Sequence, residues 1–204
     1  MPRKTAPTLT VKPIPYQPKD LKAWQLGRHA ILERSSASRF IKNILCGKAK
    51  NRPGTRFFGE ACVASTIQHE HGWYGSFKWL TSPRYVGGTA LTGFAAEFAA
   101  ALNVHFDGLE RLQERAARLS DALGFKPMPP DLWLIANGKH HFIEVKLPWD
   151  SVSDRQLAGM ALLAKHLRSK KPVELSVAQL YPAGEAEPEP LDLTGRFRDL
   201  YKKA

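Results

Sequence analysis

The segment DLWLIANGKHHFIEVK, residues 131–146, decides the fold. Two runs rich in aliphatic, aromatic and β-branched residues, 132–136 and 139–146, flank Asn137-Gly138, a dipeptide whose tolerance of positive φ makes it the strongest short signal for a β-hairpin. A two-residue turn fixes the register. Ala136 then faces Lys139, Ile135 faces His140, Leu134 faces His141, Trp133 faces Phe142, Leu132 faces Ile143, and Asp131 faces Glu144. Because side chains alternate along a strand, Lys146 shares the face of Glu144, and the open end of the hairpin displays Asp131, Glu144 and Lys146 as one patch. Opposed Cβ atoms are about 5 Å apart, so two carboxylates there can share a divalent cation. Without a cation they are too close for both to stay charged comfortably. An oxygen-only ligand set selects Mg2+ or Mn2+ over zinc, and such an ion can acidify a water and bind a phosphate oxygen. An ammonium beside it can orient that water or offset charge building in the transition state, which is the role expected of Lys146. The alternative is a cross-strand charge cluster on an ordinary surface hairpin.

Outward from the hairpin, helical periodicity covers 58–68, 90–103, 107–123 and 153–168, with further strands at 73–80 and 173–181 and a turn at 83–88. Helix, strand, helices, hairpin, helix, strand is the order of an α/β protein with a mixed central sheet flanked by helices. The helix at 153–168 can be capped by Ser151 or Ser153, and Leu157, Met160, Ala164 and Leu167 form its packing stripe. Gln156 lies in its first turn, off that stripe. It is read either as an exposed polar residue or as an amide pointing back toward Lys146.

The whole chain has 204 residues with 43% apolar and 24% charged side chains, the make-up of a folded globular protein. No stretch is long and apolar enough for a bilayer span, and the opening Pro/Thr segment has no apolar signal core. Cys46 and Cys62, without a CxxC or a histidine at finger spacing, build neither a disulfide scaffold nor a zinc knuckle, so a reducing cytoplasm is expected. The net charge of +11 lies entirely in residues 1–56, which carry 13 Lys and Arg against Asp20 and Glu33, while the remainder balances 17 against 17. Five prolines in the first 18 residues suggest an extended basic arm, followed by two short basic amphipathic helices between 20 and 46. Three regions result: a basic arm with helices at 1–56, a body at 57–182, and an acidic Pro-rich spacer with a basic tail at 183–204. Arg39, Lys42, Lys48, Lys50, Arg52 and Arg56 are the expected contacts to nucleic-acid phosphates.

Pro130-Asp131, twelve intervening residues, then Glu144-Val145-Lys146 resembles the PD-(D/E)XK nuclease superfamily. The longer run PPDLWLIANGKHHFIEVKLPWDSVSDRQLAGMALLAKHL is similar to its VRR-NUC branch. The resemblance extends from Pro129 to about Tyr181 and implies a restriction-endonuclease-like core, binding of Mg2+ (or Mn2+) and phosphodiester hydrolysis. It implies Asp131 and Glu144 as metal ligands with the Val145 carbonyl as a third, Lys146 as the water-activating residue, and Gln156 as an accessory. Met128-Pro129-Pro130 departs from the Gly-Val-Pro approach common in the family.

The superfamily pattern also carries a glutamate on a helix before the core strands. Glu60 is preferred, because it aligns with Ala64, Ile67 and His71 on the inward stripe of its helix, and a buried acid needs a cation or a donor. Glu97 and Glu110 are the alternatives, although Asp107-x-x-Glu110 also reads as a capping box. Among the histidines, His140 stays a weak candidate because it shares the face of Glu144. The resulting expectation is a Mg2+-dependent endonuclease acting on DNA rather than RNA, with a homodimer expected by analogy. Its rivals are a nucleic-acid-binding protein that keeps the fold without cutting, and a subunit that docks on another protein through its N-terminal helices.

Overall fold

A computed structural model describes residues 8–51, 54–75, 78–86 and 91–204. The hairpin forms as the sequence dictates. Strand β4 (Leu132–Ala136) and strand β5 (Lys139–Lys146) pair antiparallel in the expected register from Leu132–Ile143 to Ala136–Lys139, the expected Asp131–Glu144 pair lying just beyond the start of β4, and Asn137 and Gly138 both take positive φ, 51° and 72°. β4 also pairs antiparallel with β2 (His71–Tyr74), where the Trp73 and Trp133 rings stack at 4.2 Å. On the other side β5 pairs parallel with β7 (Val173–Pro182), and β7 pairs parallel with β1 (Thr10–Tyr16). The five-stranded order is β1-β7-β5-β4-β2, a mixed sheet. A two-residue pair, β3 (Phe106–Asp107) and β6 (Arg168–Ser169), stands apart from it.

Eight α-helices and a 3-10 turn (Pro83–Tyr85) flank the strands among the described residues: α1 (Pro18–Gln25), α2 (Ala30–Glu33), α3 (Arg39–Lys50), α4 (Phe58–Thr66), α5 (Gly93–His105), α6 (Leu109–Leu123), α7 (Asp154–His166) and α8 (Thr194–Lys203). Every residue of β4 is buried, which explains its unbroken apolar run: a central strand covered on both faces need not alternate. The parallel β5-α7-β7 connection requires a crossover helix, and α7 supplies it. Its residues Leu157 to Leu163 are all buried, more than the single stripe expected, because α6 and α8 also pack on it.

Several expectations are corrected. The strand expected at 73–80 ends at Tyr74, and Trp79 and Leu80 bury themselves from a turn instead. Residues 10–16 are an edge strand rather than a free arm. Pro13 and Pro15 share one parity of β1, so their missing N–H groups fall on the side away from β7. The boundary placed near residue 56 does not divide the core: Trp24, Leu32, Ile41, Ile44 and Leu45 belong to the same buried cluster as Val63, Leu134 and Leu162. The basic tail is α8, which buries Phe197 and Leu200 and is pinned to α7 by Arg196, whose guanidinium donates to Asp154 Oδ1 at 2.6 Å. The capping box at 107–110 is absent; Gly108 is the N-cap of α6, in a left-handed conformation with no side-chain cap. No helix among the described residues is long and apolar enough to cross a membrane.

Candidate functional site

At the end of β5, between α4 and α7, a cleft of about 580 Å3 opens. Glu60, Asp131, Glu144, Val145, Lys146 and Gln156 all line it, as do Arg56, Trp149 and Asp150. The two faces of β5 meet different helices. Val145 turns toward α4, and Glu144 turns toward α7.

Two glycines set the helix approaches. A Cβ on Gly59 would lie 2.9 Å from Val145 Cγ1, so glycine lets α4 come close enough to β5 to carry the next residue, Glu60, to the cleft. A Cβ on Gly159 would lie 1.7 Å from the Met128 carbonyl oxygen, and the Met128 N–H donates to the Arg155 carbonyl at 2.9 Å. The unusual Met128-Pro129-Pro130 approach is thus fastened to α7. Its far end is held by the Gly75 N–H, which donates to the Asp131 carbonyl at 2.6 Å. Asp131 arrives with its backbone fixed from both sides.

Within the cleft, Asp131 Oδ2 accepts the Val145 N–H at 2.9 Å. Lys146 Nζ lies 2.8 Å from Glu144 Oε1, and Gln156 Nε2 donates to the same oxygen. Gln156 also closes a capping box with Ser153 at the start of α7, so its side chain ties the helix start to the carboxylate. The other oxygen, Glu144 Oε2, is buried and has no hydrogen-bond partner among the described residues. A buried acceptor left bare in this way costs free energy unless a donor or cation meets it.

The electrostatics follow from crowding. Burial, and then the charge of Asp131, push the Glu144 carboxyl well above the usual carboxylate range, against the pull of Lys146. Burial also raises Asp131, opposed chiefly by the Val145 N–H. Burial and the Asp131 charge push Glu60 up to about 8. Three acids that resist ionisation line one cleft beside an ammonium, but one oxygen from each does not come within 4.8 Å of the other two, so a shared hard cation, which favours the charged form of each, requires them to draw together. The donor set fits Mg2+ or Mn2+: Glu60, Asp131, Glu144, Asp150 and the Val145 carbonyl are oxygens of the cleft residues, with no sulfur or imidazole among them.

The remaining sequence candidates fall elsewhere. Glu97 on α5 and Glu110 on α6 are exposed and outside the cleft. His140 is buried; it accepts the Trp133 Nε1–H through Nδ1 at 3.1 Å and lies among Phe106, Trp133 and His105, a packing role rather than a catalytic one. Of the basic candidates, Arg39, Lys50 and Arg56 are exposed, and Arg56 borders the cleft. Lys42 is spent within the fold, its Nζ donating to the Glu33 and Ser35 carbonyls at 3.1 and 2.6 Å. Lys48 stands over the rings of Phe57 and Tyr74, at 5.7 and 5.5 Å. Arg52 lies outside the described residues.

Two cleft residues escaped sequence reasoning. Asp150 forms a reciprocal turn with Leu147, accepting its N–H at 3.2 Å and donating its own N–H to its carbonyl at 2.9 Å, and its charge disfavours ionisation of Asp131 and Glu60. Trp149 leaves 58% of its surface exposed at the rim. The Pro-Trp-Asp turn just after Lys146 is the signal that points to both. No protein-family model, no curated protein and no solved structure matches the chain.

Proposed function

We propose that this chain is a Mg2+-dependent nuclease of the PD-(D/E)XK type, with a restriction-endonuclease-like core, cutting phosphodiester bonds within DNA. One observation carries the reading: the bare, buried Glu144 Oε2 in a cleft that also gathers Asp131, Glu60 and Lys146. The element order supports it as well. α4, β2, β4, β5, α7 and β7 follow the helix-then-strands plan that the resemblance implies, with Glu60 on the leading helix and α5 and α6 inserted after β2.

Asp131, Glu144 and the Val145 carbonyl would hold the ion, with Glu60 beside them. When bound, Mg2+ supplies a Lewis acid for a phosphate oxygen and lowers the pKa of water into the working range. The protein residues do the rest. Gln156 and Lys146 both hold Glu144 Oε1 and leave Oε2 without an N–H or hydroxyl donor. The Lys146 ammonium offers its remaining protons to a nucleophilic water or to the oxygen on which charge develops. Glu60, raised to about 8, carries a proton near neutral pH in the free protein, which lets three acids coexist there. Arg56 at the rim can bind a backbone phosphate, and the exposed Trp149 indole offers a face for a base to stack on.

The test is direct. The purified protein is incubated with supercoiled, branched and single-stranded DNA and with RNA, in Mg2+ or in EDTA. Cleavage of DNA that requires Mg2+ and is lost in Asp131→Ala is expected. Cleavage that survives either change overturns the proposal, and salt-sensitive binding without any cleavage leaves a nucleic-acid-binding protein instead.

A further inference from the structure

Away from the cleft, α2 and α3 bring a second, chemically different set of ligand-type side chains together. His29 is the N-cap of α2 and Glu33 its last residue, a spacing of four that puts both on one side of the turn. Cys46 reaches them from α3. One ligand atom from each lies within 4.8 Å of the other two.

Two further observations point to a ligand. His29 is only 3% exposed, yet its Nε2 has no hydrogen-bond partner among the described residues. The Trp24 ring packs edge-on against it, 4.5 Å between centroids, and so fixes the imidazole plane. Cys46 is a free thiol, half-buried, while Glu33 is exposed and free to swing.

We propose that His29, Glu33 and Cys46 form a binding site for one borderline-soft divalent cation, Zn2+, distinct from the carboxylate cleft. Nitrogen, thiolate and carboxylate together select Zn2+ over Mg2+, and three protein ligands leave a fourth position for water. Donor atoms around tetrahedral zinc stand roughly 3.5 Å apart, so the site must tighten, and the exposed Glu33 side chain is the part able to close. Proton balance is simple. The imidazole binds neutral and the carboxylate ionised; the thiol gives its proton to solvent as the sulfur–zinc bond forms, one proton released per ion. Burial and then the Glu33 charge raise the Cys46 thiol above its usual range, against the pull of Lys50 and Lys42, so the incoming ion itself must displace the proton. The −2 charge of the ligands offsets the repulsion of the incoming ion by those lysines. A bound ion would rivet α2 to α3 beneath the basic segment.

Co2+ is the probe, with the full chain first stripped by a chelator. A single equivalent is expected to produce a sulfur-to-cobalt charge-transfer band in the near ultraviolet together with tetrahedral d–d bands, both erased by Zn2+. The same spectrum is expected in Asp131→Ala, which separates this site from the cleft, and in Cys62→Ser. Cys46→Ser should lose the charge-transfer band, and His29→Asn and Glu33→Gln should each weaken Zn2+ binding at least about tenfold. Glu33→Gln alters only an exposed side chain and so stays informative if a core variant misfolds. No charge-transfer band in the unmodified protein, a band that persists in Cys46→Ser, or unchanged Zn2+ affinity in Glu33→Gln overturns the site.

Discussion

Lys146 Nζ and Glu144 Oε1 are 2.8 Å apart, both side chains buried, and that contact occupies one carboxylate oxygen while Oε2 is buried without an N–H or hydroxyl donor, the Asp131 carboxyl being the group that shares a proton with Glu144. Replacing Lys146 with Met keeps the apolar stem and removes the charge. Cleavage at neutral pH is expected to fall about 10²- to 10⁴-fold, read as a single-turnover rate, while affinity for uncut DNA with metal withheld changes little. Unchanged turnover would remove Lys146 from the chemistry.

Glu60 predicts a pH dependence of the metal-free fold. Its pKa is raised from the ordinary 4.5 to about 8, so between those values the folded state holds more protons than the unfolded chain. Stability must then fall as pH rises through that window. Thermal melts of the EDTA-treated protein should show a declining Tm from pH 5 to pH 8, and Glu60→Gln should flatten the decline. An equal slope in both proteins would show that Glu60 ionises freely.

His140 predicts the opposite sign. Burial holds it down to about 4, and the Trp133 N–H occupies its Nδ1 lone pair. Below the ordinary value of 6.5 the unfolded chain takes up a proton that the folded state refuses, so stability is present above that pH and is lost as pH falls toward 4. His140→Asn keeps an acceptor for Trp133 and should lessen the loss of Tm between pH 6.5 and pH 4.

Gly159 marks where α7 touches the approach to Asp131. Gly159→Ala drives a methyl into the Met128 carbonyl and is expected to cost about 1–3 kcal/mol or more in chemical denaturation. Weaker Mn2+ binding should accompany it, because the displaced segment leads through Pro130 to the carboxylate. Gly195→Ala on α8, where a Cβ meets nothing within 4 Å, serves as the control and should not destabilise.

Trp149 separates strand binding from chemistry. Trp149→Ala is expected to weaken binding of single-stranded DNA by about 1–3 kcal/mol, measured by fluorescence anisotropy, with the cleavage rate at saturating DNA nearly unchanged. An equal loss of rate and affinity would place the indole among the reacting groups.

What could be read from the chain was what is local. Asn137-Gly138 sets its own register, and through it the juxtaposition of Asp131, Glu144 and Lys146, because a two-residue turn leaves no freedom to slip. Glu60 was singled out by a stripe with Ala64, Ile67 and His71, but α4 ends at Thr66 and His71 lies in β2, so its place at the cleft rests on the approach of Gly59 to Val145 instead. The missing parts are tertiary. β1 was hidden because its partner is β7, far along the chain, and because prolines on an edge strand look like those of a loop. The His29, Glu33 and Cys46 cluster depends on how α2 meets α3, which no spacing encodes. Asp150 and Trp149 sit on a turn, where periodicity says nothing.

The pairing of Thr10 with Ser176 has a consequence for synthesis on the ribosome. Among the described residues β1 has no sheet neighbour but β7, far later in the chain, so until β7 has been made its backbone groups wait in water or against a chaperone. Lys12, Pro13 and Pro15 suit that interval: one charge and two absent amides make the orphan strand a poor template for aggregation before β7 arrives to receive it.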